Sequence, residues 1–131
     1  MSQSGPFQFY PVTPARVVDT RGPDGVNGGP ALQANSPARS FSIQGNGGIP
    51  AGVAAVRCNL TAVNAPGSGY LTVWPSGRAQ PMVATLNLYG GSPLVNESIV
   101  EVSQDPQDLS VYFAGSGSLH VAIDVVGYFA P

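Results

Sequence analysis

Apolar residues in this chain recur at every second position, and nowhere does a 3.6-residue apolar stripe run two turns. A period of two belongs to β-strands, whose successive side chains point to opposite faces. It predicts strands near Phe7–Val12, Ala15–Thr20, Ala38–Gln44, Val53–Val63, Tyr70–Trp74, Thr85–Tyr89, Ser98–Val102, Leu109–Phe113 and Ser118–Phe129. Turn-forming residues separate them: Gly22-Pro23-Asp24-Gly25, Asn46-Gly47-Gly48, Ala65-Pro66-Gly67-Ser68-Gly69, Pro75-Ser76-Gly77 and Gly115-Ser116-Gly117. Short strands punctuated in this way predict an all-β fold, a single antiparallel β-sandwich of jelly-roll type over residues 1–131. No internal repeat or linker divides the chain. Arg21–Pro37 has few large apolar residues and reads as one long surface loop, of a length that usually contacts something.

Two of the predicted strands look apolar on both faces. Val53–Val63 alternates Val56, Cys58 and Leu60 with Arg57, Asn59 and Thr61; in Ser118–Phe129, Leu119, Val121, Ile123 and Val125 alternate with a face that includes Ala122 and Val126. Such strands belong at the centre of a sheet covered on each side, by the long loop or by another subunit. Charge falls inside matching segments at the two ends: Arg16, Asp19 and Arg21 near the start, Asp124 near the finish. Burying these groups requires partners, so Asp124 is expected to pair with one of the arginines across adjacent strands, joining the N-terminus to the C-terminus.

Composition narrows the setting. Charged residues are 9% of the chain, the net charge is −2, and all five cations are arginine. Without a basic cluster, nucleic acid and anionic membrane surfaces are poor partners. No run approaches the ~18 apolar residues of a membrane span. Met1–Pro6 has neither the basic start nor the apolar stretch of a signal peptide, so an extracellular location would need a signal removed or another export route. A surface with so little charge repels its neighbours weakly, which favours self-assembly.

Catalytic chemistry finds little support. His120, the only histidine, lies four strand residues from Asp124, about 13 Å, too far for a triad hydrogen bond. Glu97 and Glu101 have the same spacing, about 13 Å and too wide for a glycosidase pair. Cys58 is the only cysteine and reads as a buried, inert thiol. One histidine and one cysteine make no metal cluster, and Asp24-Gly25-Val26-Asn27 is not a calcium loop. Gly45-Asn46-Gly47-Gly48 lacks the lysine and helix of a phosphate cradle. The Asn59 and Asn96 glycosylation sequons are short patterns that recur by chance. The one candidate ligand surface is Tyr70, Thr72 and Trp74, which alternate along one strand and would offer rings and a hydroxyl to a sugar. The competing expectation is that they pack.

Several stretches taken together carry a resemblance: Tyr10-Pro11-Val12, Arg16-Val17-Val18-Asp19-Thr20-Arg21, Gly48-Ile49-Pro50, Ala55–Thr61, Gly69–Pro75, Thr85-Leu86-Asn87 and Asp124–Phe129. Over nearly its whole length the chain resembles a β-rich module of secreted and cell-surface proteins in actinobacteria, acidobacteria and similar bacteria. The resemblance implies a fold and an extracellular or particle-surface location; it implies no catalytic residues and no cofactor. A stand-alone copy points to a self-sufficient structural role. The expectation is therefore a non-catalytic structural module forming a homo-oligomer or polymer, the alternative being a glycan-binding module that uses Tyr70 and Trp74.

Overall fold

The computed structural model describes residues 6–63, 65, 67–82, 84–90 and 93–131. Its strands are β1 (Gln8–Asp19), β2 (Leu32–Gln33), β3 (Arg39–Phe41), β4 (Ala55–Val63), β5 (Ser68–Pro75), β6 (Leu86–Tyr89), β7 (Leu94–Glu101), β8 (Leu109–Ala114) and β9 (Ser118–Ala130). They form two antiparallel sheets. One runs β1-β9-β4-β7, with β2 added to β9, and the other runs β3-β8-β5-β6.

Four pairings explain the arrangement: β1 with β9, β3 with β8, β4 with β7, and β5 with β6. The chain is thus one long hairpin, turning between β5 and β6, whose arms pair first strand to last and so on inward. Wrapped round, this hairpin closes through β4–β9 and β5–β8 into the two sheets of a jelly roll. The strands alternate sides as the sequence pattern requires. On β4, Val56, Cys58, Leu60 and Ala62 are buried while Ala55, Arg57, Asn59, Thr61 and Val63 are half-buried. Phe41 from β3, Leu71 from β5, Leu109 from β8 and Ile123 from β9 meet them in the sandwich core.

Several expected boundaries change, each for a local reason. The two strands expected near the N-terminus are one, β1, interrupted by register shifts between Pro11 and Ala15 and between Arg16 and Val18. Proline cannot donate to a ladder, so Pro11 and Pro14 break the pairing with β9 without ending the strand. The strand expected over Ala38–Gln44 shrinks to Arg39–Phe41 because side chains capture the backbone beyond it. Ser42 N–H donates to Asn27 Oδ1, and Ile43 and Gln44 N–H donate to the Asp108 carboxylate.

The Arg21–Pro37 loop folds back on its own sandwich and contributes β2. Leu32 is buried opposite Leu119, and the Arg39 guanidinium donates to the carbonyls of Gly25, Gly28, Gly29 and Pro30. β4 and β9 are central strands as expected. Their outward side, however, has no second layer among the described residues. Asn59, Thr61, His120 and Asp124 are half-buried there, screened by their neighbours on the same face.

Candidate functional site

The outward face of the five-stranded sheet gathers the charges. Register places Arg16 opposite Asp124, Asp124 opposite Asn59, and Asn59 opposite Glu97, a polar row across β1, β9, β4 and β7. Arg16 donates through Nε to Asp124 Oδ1 at 2.8 Å and through Nη2 to Oδ2 at 3.1 Å. Asp19 accepts from Arg21 Nε and Nη2, each at 2.9 Å, and from the Arg21 backbone N–H at 3.0 Å. Arg16 Nη1 lies 3.5 Å from Asp19 Oδ2, which links the two pairs.

The Arg21 hydrogen bonds hold the Asp19 carboxyl at about 2, and the Asp124 hydrogen bond raises Arg16 above its ordinary value. The cluster differs from the expected buried pair in one respect. Arg16 and Arg21 keep nearly half of their side-chain surface in solvent, so the charges are paired at the surface and not in the core. Two bidentate pairs neutralise all four groups, an arrangement that ties β1 to β9 and leaves no charge for a ligand.

The aromatic strand behaves differently from the expected flat platform. Trp74 is 7% exposed, with its indole N–H donated to Arg78 O, and Thr72 is 1% exposed. Only Tyr70 remains open on that face. Directly opposed residues of an antiparallel pair point the same way, so Tyr70 shares its side with Asn87, and Ser68 with Tyr89. Tyr89, 76% exposed, is therefore the diagonal neighbour of Tyr70, a partner that the spacing within one strand could not show. The edge of Trp74 instead lines a cleft of about 380 Å³ with Arg78, Thr85, Ser98, Ile99 and Glu101.

The Thr20 hydroxyl lies 3.0 Å from His120 Nδ1 and accepts the Val121 N–H, which places this pair in a strand junction. Glu97 bonds Arg57 and Glu101 bonds Arg78, both at 2.7 Å. Burial pushes the Cys58 thiol up to about 12, with Asp124 and Glu97 adding to the effect. Asn96 Nδ2 is spent on Thr85 O and Ser98 Oγ. Among the described residues no three His, Cys, Asp or Glu side chains come close enough to hold a metal ion. No helix among them is long and apolar enough to cross a membrane.

No family model, curated protein or solved structure matches the chain. The surface itself must therefore carry the functional argument. Among the described residues the four most exposed large apolar ones are Met82 at 102%, Tyr89 at 76%, Ile99 at 63% and Val95 at 60%. They do not form one patch: Tyr89 points out of the four-stranded sheet, and Val95 and Ile99 point out of the five-stranded sheet on the other side of the sandwich. Tyr89 lies on β6 and Val95 and Ile99 on β7, an outermost strand in each case, while Met82 follows Pro81, which lines the cleft with Ile99. Sequence reading passed over both β7 residues: Val95 fell outside the strand expected over Ser98–Val102, and β7 begins four residues earlier, at Leu94.

It also passed over Asp108 and Gln44, a buried polar clamp. The carboxylate takes three donors, Ile43 N, Gln44 N and Gln44 Nε2, at 2.7–3.0 Å. Gln44 Oε1 in turn accepts from Gly52 N and Val53 N. An acid just before an apolar strand, at Asp108-Leu109, was the only signal available for it.

Proposed function

We propose that this chain is a non-catalytic structural module of an extracellular or particle surface, which self-associates through the sandwich. The observation that carries the reading is the exposure of Val95 and Ile99 on the outward face of β7, which with Met82 and Tyr89 are the most exposed large apolar residues among those described. The near absence of charge supports the same reading, since weakly charged copies repel one another little. The resemblance to secreted and cell-surface modules supports the location. Size-exclusion chromatography with light scattering across a wide concentration range tests it: masses above 13.4 kDa that rise with concentration are expected, and a 13.4 kDa monomer throughout would sink the reading.

A glycan-binding module is the second reading, favoured by Tyr70 and Tyr89 standing as diagonal neighbours beside Asn87. Exposed rings next to an amide suit the apolar face and hydroxyls of a sugar. The double variant Tyr70→Ala/Tyr89→Ala should abolish retention on immobilised polysaccharide if this reading holds. Oligosaccharide titrations without heat or spectral change in the parent protein would end it.

A further inference from the structure

Four of the five arginines are matched with a carboxylate: Arg16 with Asp124, Arg21 with Asp19, Arg57 with Glu97 and Arg78 with Glu101. Arg39 has no such partner among the described residues, although it stands where a lone charge is least favourable. It lies opposite Val111 of β8 and two residues from Phe41, both buried in the core, so its side chain leaves β3 from the inner face of the sheet. Only dipoles solvate it. Nη1 donates to Pro30 O, and Nη2 is shared among Gly25 O, Gly28 O and Gly29 O. Nε and the second Nη1 hydrogen have no acceptor among the described residues, and a cationic group without a countercharge is costly to bury.

This guanidinium forms part of the wall of a cleft of about 440 Å³ between the Arg21–Pro37 loop and strands β3 and β8. That volume falls in the range of small-ligand sites, about 300–1,000 Å³. Leu32, Val111 and Phe113 give the cleft apolar surface, and Gln33 and Ser36 add an amide and a hydroxyl. The one carboxylate in its wall, Asp24, pairs with no described cation either, Arg39 included. A Cβ at Gly29 would lie 2.8 Å from Asp24 Oδ1, and Gly29 O accepts from Arg39 Nη2 at 2.8 Å. Carboxylate and guanidinium therefore flank the same residue without meeting each other. The wall that carries them is already fixed, by Gly25 N–H on Gly29 O, Gly29 N–H on Gly22 O and Asn35 N–H on Phe113 O. Binding there would not have to order the loop.

We infer that this cleft binds a small zwitterion, an α-amino acid with an apolar side chain. Its carboxylate accepts from Arg39, its ammonium group donates to Asp24, and its side chain covers Leu32, Val111 and Phe113. A simple anion would satisfy Arg39 but face the charge of Asp24, and a simple cation would satisfy Asp24 but face Arg39. A ligand with both charges on one carbon answers both groups at once. The inference is independent of self-association and of glycan binding.

Amide-resolved NMR titration of the labelled protein tests it, with L-leucine and then L-phenylalanine as probes. At least one should give saturable shifts at the Gly25, Gly29 and Gln33 amides. For leucine, 4-methylpentanoate lacks the ammonium group and 3-methylbutylamine lacks the carboxylate; each should bind at least about tenfold more weakly than the amino acid. Asp24→Asn alters an exposed side chain and leaves the Arg39 carbonyls in place, and the same spectra check that it folds. It should weaken the amino acid by at least about tenfold and leave 4-methylpentanoate no weaker. A carboxylate or an amine that binds as tightly as the amino acid, or an Asp24→Asn protein that binds it unchanged, overturns the zwitterion. Neither amino acid shifting these amides at about 10 mM, well above a millimolar Kd, overturns the site itself.

Discussion

At the scale of single residues, Asp108 matters more to this fold than any of the paired surface charges. Its buried carboxylate holds the segment after β3 by two backbone N–H groups and one amide, so truncation strands three donors at once. Asp108→Ala should lower unfolding stability by about 3 kcal/mol, measured by urea denaturation. The Asp19–Arg21 pair, by contrast, is half in water, and Asp19→Asn should cost about 1 kcal/mol or less. Its pH dependence has a definite sign. The carboxyl titrates at about 2 when folded and near its ordinary value of about 3.9 when unfolded. Its contribution is therefore fully present above about pH 4 and lost as pH falls through about 2. Acid titration of the wild-type protein against Asp19→Asn should show the two stabilities converging over that window.

At the scale of elements, the pairing of β1 with β9 depends on close approach as well as on charge. Phe9 lies over Gly127, where a Cβ would collide with the ring, and Arg57 lies 5.9 Å from the centre of that ring. Phe9 also packs against Phe129 at 5.1 Å between ring centres. Gly127→Ala should therefore expel Phe9 from the sheet face and destabilise the protein by about 1–3 kcal/mol, read from a thermal melt. Phe9→Leu in the same background should recover part of the loss. The loop from Arg21 to Pro37 shows what element-level reading of the sequence could and could not reach. Its length and its glycines and prolines announced a loop. Its closure depends on Arg39 gathering four carbonyls, contacts between residues that no periodicity relates.

At the scale of the whole molecule, the wrapped hairpin brings first and last strands together and leaves β6 and β7 as neighbouring outermost strands of the two sheets. If copies associate there, only the folded state can do so, and association adds to stability by mass action. The midpoint of thermal unfolding should then rise with protein concentration in the wild type and stay constant in Ile99→Lys, as followed by calorimetry. Such an interface would cover the apolar residues that the monomer leaves in water.

The fold class was legible in the sequence because alternation is local: each strand declares its buried face by its own residues, as Val56, Cys58 and Leu60 do on β4. The meeting of the chain ends was legible too, since a poorly charged chain placed Arg16 and Asp124 inside strands that need partners. What the tertiary structure alone decided was which side chains share a surface. Trp74 and Thr72 looked like a binding face and became covered, while Tyr70 gained Tyr89 from a neighbouring strand. Val95 fell outside the expected strands and Ile99 within the one expected over Ser98–Val102, and both came to lie on an outermost strand. Exposure of a strand residue depends on which strand lies beside it and what packs over it, and those are long-range contacts that the two-residue period does not encode.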